Sequence, residues 1–446
     1  MAAPATKYEG PEVHYSAADE ALFAKVSWHL LPLLIICYII AFLDRVNIGY
    51  AQLQMKQTLP WDNEVYALGA GIFFIGYFLF EVPSNLMLEK IGARVTLLRI
   101  MFLWGVCAAG IAFVQTPTQF YILRFLLGAF EAGFFPGIIL YLTFWYPGAR
   151  RGKAIATFMT GATLAYLIAG PTSGAILKYM DGLGGWHGWQ WMFIVQGVPA
   201  SILGLVAFFY LKDQPEQAGW LTAGEKTALR NHLDNDVHVV AGASHGSLLG
   251  LIRDPKVYTL SVVYFLVLGA TYVMVFWMPT LVKSWGVADL FVIGLLTAIP
   301  SVCAAVAMVL IGRSSDRHAE RRWHFVFCTV LAFTGVAVAA LSQGNLVLSL
   351  FGMCLLLMGQ SSSTPIFFAG VSEYLPKDTA AGGIALISSL GNLGPAVLPV
   401  ITTRITTATG SQTASLYLVG AMWLAAGLLL MLVMRPATEQ LRPATA

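Results

Sequence analysis

Residues 118–145 read TQFYILRFLLGAFEAGFFPGIILYLTFW, and only Arg124 and Glu131 in that stretch carry charge. A helix rises about 1.5 Å per residue, so roughly twenty apolar residues cross the ~30 Å of bilayer hydrocarbon. The stretch is longer than the usual globular helix of ~10–14 residues, and it reads as a membrane span. Working outward from it, similar runs recur at about 28–53, 64–88, 95–114, 118–145, 153–177, 189–211, 256–282, 290–312, 324–342, 346–374, 379–405 and 414–434. Composition agrees with that reading. Hydrophobic residues make up 57% of the 446 and charged ones 11%, against about a quarter charged in soluble proteins. So few charges cannot clothe a soluble chain of this length, and globular and disordered classes are both excluded. The expected fold class is an all-α polytopic membrane protein with twelve transmembrane helices in two six-helix bundles.

The polar breaks suggest an organisation: a tail over 1–27, a first bundle over 28–211, a linker over 212–255, a second bundle over 256–434 and a tail over 435–446. The first 27 residues carry four acids and no cleavage-site pattern, so no secretory signal is expected there. Lys and Arg decide orientation, because those flanking membrane helices are retained in the cytoplasm. With both ends on one side, that side receives twenty of the 26 Lys and Arg. The other side receives Lys56, Lys178, Lys283 and Arg404, while Arg45 and Arg124 fall inside helices. Both termini are therefore expected in the cytoplasm. His232, His238 and His245 of the linker match no metal-ligand spacing, so neither metal nor cofactor is expected. The five cysteines lie in apolar runs and read as small core residues. A net charge of +3 gives no argument for nucleic acid as a partner. Residues 89–94 (EKIGAR) and 312–317 (GRSSDR) form a weak internal repeat.

Asp44, Arg45, Glu81, Arg124 and Glu131 lie within spans, where an ionised side chain costs about 2.5–3.5 kcal/mol on insertion scales. They are expected to face one another or a water-filled cavity, and such groups mark substrate or proton pathways by default. Arg124 and Glu131 are seven apart, hence on one helix face about 10 Å apart along the axis, with Gly128 between them. Two arginines and two acids sum to zero, so protonating the acids would free positive charge to bind an organic anion. The competing reading is a set of buried salt bridges that only fixes helix packing. Glu81 precedes Pro83 near a helix end and reads equally well as a gate or a packing residue.

The second half has no comparable charge until Glu373 but supplies Tyr264, Thr271, Tyr272, Gln360, Ser361–Ser363, Ser388 and Asn392. Such side chains can shape a pocket and hydrogen-bond a polar substrate, although Ser and Thr in membrane helices more often bond backbone or a neighbouring helix. Helix breaks are expected at Pro136-Gly137, Gly170-Pro171, Pro279, Pro365 and Gly394-Pro395. No Walker-type lysine loop is present in the sequence, which argues against an ATP-driven pump.

FLDRVNIGYAQLQM (42–55), GIFFIGYFLFEVPSN (71–85), LRFLLGAFEAGFFPGIILYLTFWYP (123–147) and the G-x-x-x-D-R of Gly312, Asp316 and Arg317 resemble the major facilitator superfamily. Within it the chain resembles the anion:cation symporter family and most of all its tartrate transporter branch, which has relatives for 4-hydroxyphenylacetate and phthalate. The resemblance implies proton-coupled symport of organic anions by alternating access. Asp44 and Glu131 would couple protons, and Arg45, Arg124, Tyr77, Tyr264, Tyr272, Phe368, Ser388 and Asn392 would bind substrate. Glu81, Gly312, Asp316 and Arg317 would serve gating or structure. Two departures fall in the half that should set specificity: Ser388-Ser389 stands where the branch reads Asn-Ser, and Ile366-Phe367-Phe368 where it carries a Phe-Trp pair. The expected partners are a small organic anion, protons and the lipid bilayer, with no obligatory protein partner. Three alternatives stand beside this reading: a channel or facilitator, which needs a continuous polar pore, a transporter-derived nutrient receptor, and a proton-driven exporter.

Overall fold

In hydrocarbon a backbone must satisfy its own hydrogen bonds, and a helix does so within one segment. The computed structural model describes residues 15–240, 254–342, 345–375 and 380–434, and all twelve expected spans are helical. The first bundle comprises α1 (Ala17–Thr58), α2 (Asn63–Ile91), α3 (Ala93–Gly110), α4 (Pro117–Glu131), α5 (Phe134–Thr143), α6 (Gly148–Tyr179) and α7 (Gly188–Tyr210). The linker contributes α8 (Ala223–Val240). The second bundle comprises α9 (Pro255–Ser284), α10 (Leu290–His318), α11 (Arg322–Leu341), α12 (Leu346–Tyr374), α13 (Ala380–Gly391), α14 (Gly394–Thr409) and α15 (Gln412–Val433). The pairs α4/α5 and α13/α14 are the broken fourth and eleventh spans.

The fourth span breaks at Ala132-Gly133, earlier than the expected Pro136-Gly137. Pro136 has no N–H, and its ring crowds the carbonyl four residues earlier, that of Ala132. Gly133 relieves the clash by turning to φ +86°, which glycine adopts without steric cost. The eleventh span breaks at Asn392-Leu393, just before the expected Gly394-Pro395, with Pro395 in the first turn of α14. Pro171, Pro279 and Pro365 sit inside continuous helices.

Two buried apolar cores separate the bundles. One runs from Leu22 to Leu229 and takes in Tyr272, Phe276 and Ala396 of the second bundle; the other draws only on Val257 to Met434. The bundles meet along α1–α9, α2–α14 and α6–α10. The last two contacts are backbone-close. A Cβ on Gly294 would stand 2.2 Å from the Gly170 carbonyl oxygen, and one on Gly71 would stand 2.4 Å from that of Ala396. Lys178 pairs with Asp289 and Arg404 lies 3.9 Å from Glu64, while the hydroxyls of Tyr50 and Thr297 are 2.8 Å apart. These ties join the end of α6 to the start of α10 and the start of α2 to the end of α14. Twelve crossings put the start of α1 and the end of α15 on one face, so the bundles are tied together on the opposite face.

Three sequence boundaries are revised. The first helix starts at Ala17, capped by Ser16 and Asp19, so the second half of the expected tail is helical; residues 1–14 lie outside the described ones. The linker helix α8 docks on α1 through Lys25–Glu225 at 2.8 Å and His232–Asp19 at 2.8 Å. The Lys25 ammonium holds the Glu225 carboxyl below its ordinary range. His245 and the rest of 241–253 lie outside the described residues, as does the tail 435–446. Finally, α10 runs on to His318, so Gly312, Asp316 and Arg317 occupy its last turns and not a loop. The loop is set by Ala319, at φ +49°.

Candidate functional site

Asp44 and Arg45 are adjacent on α1, and successive helical residues point about 100° apart. They therefore leave the helix in different directions. Arg45 faces the seam, where its Nη2 pairs with Glu131 Oε1 from the end of α4 and its Nη1 lies 3.4 Å from the Tyr272 hydroxyl of α9. Its guanidinium carbon also stands over three rings, Phe42 at 5.1 Å, Phe73 at 5.6 Å and Tyr77 at 5.5 Å. Such cation–π contacts help to stabilise the charge of this part-buried guanidinium. Arg45 Nε and Glu131 Oε2 are buried without a partner among the described residues.

Asp44 departs from the expectation that the intramembrane charges face one another or a water-filled cavity. It is 1% exposed and points into the first bundle, where Trp104 of α3 donates Nε1–H to its Oδ2 at 2.6 Å. Asn47 Nδ2 lies 3.5 Å from the other oxygen. Neither arginine bonds it.

Arg124 on α4 is fully buried, at 0% exposure. Its Nε donates to the Gly69 carbonyl at 3.0 Å, and its guanidinium lies over Phe73 at 5.0 Å. Both terminal nitrogens lack a partner among the described residues, although Glu131 and Asp44 act on the charge electrostatically. Gly128 explains how the residue reaches this depth: a Cβ there would stand 1.9 Å from the Phe73 carbonyl oxygen, so α2 and α4 touch backbone to backbone. The room left by this glycine is filled by a helix. Arg45 and Arg124 thus share the Phe73 ring, with one carboxylate, Glu131, paired directly to one of them.

The remaining sequence candidates are placed less uniformly. Tyr77 and Tyr272 contact Arg45 as described. Tyr264 stacks on Phe367 with centroids 5.5 Å apart and meets Phe368 edge-on at 4.8 Å, in space left by Gly391, whose Cβ would fall 2.1 Å from the Tyr264 ring. Ser388 and Asn392 flank the α13/α14 break, linked by a 2.9 Å backbone bond from Asn392 N–H to the Ser388 carbonyl. No hydrogen bond joins them to either arginine. Glu81 has one buried oxygen without a partner among the described residues. Of the three α10 residues only Asp316 is engaged, by Arg321 at 2.6 Å; Arg321 also reaches Glu373 at 3.0 Å. Three residues at the site escaped sequence reasoning: Trp104, Phe73 and Tyr166, the last edge-on to Phe42 at 5.5 Å. Trp104 and Phe73 carried no signal, being aromatics in aromatic-rich spans. Tyr166 did carry one, as the only hydroxylated ring within 155–175.

The comparisons with known proteins agree with this architecture. The Major Facilitator Superfamily model matches residues 34–291 and 260–446. A protein of Agrobacterium vitis named "Putative tartrate transporter" is 44% identical over 428 residues, covering 96% of this chain and 94% of that one. The "Putative metabolite transport protein NicT" of Pseudomonas putida is 42% identical, covering 92% and 93%, and the "Quinolone resistance transporter" of Acinetobacter baumannii is 38% identical, covering 90% and 92%. Among solved structures, a bacterial homologue of the human lysosomal transporter Spinster superposes with a TM-score of 0.76 at 15% identity, covering 94% of this chain and 99% of that one. A D-xylose–proton symporter gives 0.70 at 15%, covering 92% and 98%. This chain belongs to the Major Facilitator Superfamily, as a multi-pass membrane transporter of twelve helices.

Proposed function

We propose that this transporter carries a small organic carboxylate across the bacterial inner membrane together with protons, by alternating access. Arg124 carries the reading: a guanidinium buried beside the seam with both terminal nitrogens unpartnered among the described residues. A carboxylate accepts two parallel bonds from such a fork, and in a low-dielectric site those bonds gain strength. Glu131 is the coupling group. Ionised, it holds Arg45; protonated, it releases Arg45 to grip the anion alongside Arg124, so anion and proton load together. Asp44, buried against Trp104, touches neither arginine and plays a supporting part in coupling. Tyr77, Tyr272, Tyr264, Phe368, Ser388 and Asn392 shape the cavity walls, while Glu81 and the α10 end with Gly312, Asp316 and Arg317 serve the face bearing the chain ends.

Positive charge assigns that face to the cytoplasm, which makes the tied state inward-facing. Rocking of the bundles about the seam then exposes the site to the other side. A tartrate-like substrate is supported by the names of the relatives. An aromatic acid is the second reading, favoured by the wall of Phe42, Phe73 and Tyr77 around Arg45. Proteoliposome uptake of radiolabelled tartrate, galactonate, 4-hydroxyphenylacetate and phthalate tests both, with and without an inward proton gradient. We expect one of them to accumulate only with the gradient. Uptake that ignores the gradient for every substrate would return the protein to the facilitator class.

A further inference from the structure

A second cleft opens between α9, α14 and α15 toward the tied face. It lies in the half of the second bundle remote from the chain ends, and it plays no part in the arginine site. Asn63, the first residue of α2, closes it from the other bundle, so its walls belong to both bundles. The lining is hydroxyl-rich and uncharged: Thr280, Thr403, Thr406 and Ser415 share it with Trp277 and Met274. Three charges border it: Arg404 and Glu64 adjoin lining residues in sequence and lie 3.9 Å from each other, and the Lys56 ammonium stands 5.0 Å from the Trp277 ring.

Two of its hydroxyls are anomalous. Threonine on a membrane helix ordinarily returns its hydroxyl to the carbonyl four residues earlier, and Thr402, Thr406, Thr407 and Thr409 all do so, at 2.7–3.1 Å. Thr403 does not. It is 3% exposed and its hydroxyl has no partner among the described residues; the carbonyl it would use, that of Pro399, already accepts from Thr402 at 3.0 Å. Thr280 is in the same position, because the Phe276 carbonyl accepts from Gln52 Nε2 at 2.7 Å. A buried hydroxyl without a partner costs about 1–3 kcal/mol, and two of them line one cleft. Threonine on a helix alternates between two χ1 positions, so a turn about Cα–Cβ presents either hydroxyl to an occupant. Thr406 and Ser415 are meanwhile bonded to each other and to the Thr402 carbonyl, which leaves Thr280 and Thr403 as the free pair.

We infer that this cleft is a binding site for a small uncharged amphiphile, an apolar or aromatic body with one hydroxyl or primary amide. No charged side chain lines the cleft itself, and Lys56 meets only the Trp277 ring, so the lining favours an uncharged ligand over an ionised one, whose desolvation it would not offset with a direct partner. Trp277 and Met274 supply the apolar wall, and the two threonine hydroxyls supply a donor and an acceptor. Because Asn63 completes the site only while the bundles are tied on that face, the ligand favours the tied state by linkage.

The test uses the full-length protein in lipid nanodiscs, with 4-hydroxybenzamide as the probe and ligand-observed NMR to measure its Kd. Thr280→Val and Thr403→Val each replace a hydroxyl by an isosteric methyl. We expect each to weaken the amide about five- to tenfold, the loss of one neutral hydrogen bond. Thermal stability should stay level or rise, since an unpartnered hydroxyl is removed. Arg124→Gln should leave amide binding unchanged. Three results would overturn the inference. No saturable binding to the parent protein would make this a water-filled cleft only. Binding indifferent to both valine substitutions would place the probe elsewhere. Binding lost in Arg124→Gln would place it in the arginine site.

Discussion

Glu131→Gln isolates the coupling step. In the parent protein Arg45 is paired with the Glu131 carboxylate, so an anion that needs Arg45 must wait for that carboxylate to take a proton. One proton per anion means that affinity changes about tenfold, or ~1.4 kcal/mol, per pH unit while Glu131 is ionised in the empty carrier. The anion binds more tightly as pH falls. The slope should be one and not two, because Asp44 is held by Trp104 and pairs with neither arginine. In Glu131→Gln the slope should vanish and affinity at high pH should rise, since Arg45 is already free. Glutamine still offers Arg45 a carbonyl, so the stability loss stays below the ~3–5 kcal/mol of stripping a buried charge of its partner. Binding of the labelled substrate is measured in detergent between about pH 5 and 8, followed by counterflow and gradient-driven uptake in proteoliposomes. Counterflow should survive and accumulation should fail, because the empty carrier has no proton to release before it returns. A slope unchanged by the substitution, or accumulation equal to the parent's, would refute Glu131 as the coupling carboxylate.

Four other outcomes are expected. Trp104→Phe removes the 2.6 Å donor to Asp44; it should cost about 1.5–3 kcal/mol of stability, read as a lower Tm, and leave anion affinity within about twofold. Gly294→Val puts side-chain atoms into the Gly170 carbonyl, 2.2 Å from the Cβ position, so the tied face cannot close. A cysteine at Thr297, protected in the parent, should then react with an impermeant thiol reagent applied from that face. Lys178 holds the Asp289 carboxyl below its ordinary value through their hydrogen bond, so the contribution of this pair is complete above about pH 4 and is lost only as pH falls through the depressed value. Asp289→Asn should therefore change uptake by one constant factor between about pH 5 and 8, and a ratio that varied over that range would sink the assignment. Arg230→Cys in a cysteine-free background should resist the same reagent added outside intact cells, since labelling there would reverse the orientation.

Composition and run length alone determined that this chain crosses a bilayer twelve times, because the cost of unpaired backbone in hydrocarbon leaves helices as the only structure for runs so apolar. They also exposed Arg45, Arg124 and Glu131, since a charge in such a run is too costly to be incidental. Packing decided how those charges are used. That Asp44 turns to Trp104 while Arg45 turns to the seam depends on which helices flank α1, and a sequence does not state its helix neighbours. The break at Gly133 was hidden for a related reason: Pro136 marks where a helix is weak, but the clash it causes falls on Ala132, and the glycine beside it takes up the turn. Tyr166, Phe73 and the Thr280/Thr403 cleft needed the tertiary structure outright. Each is an ordinary residue of an apolar span, and its meaning comes from a neighbour on another helix or from a carbonyl that another side chain has already taken.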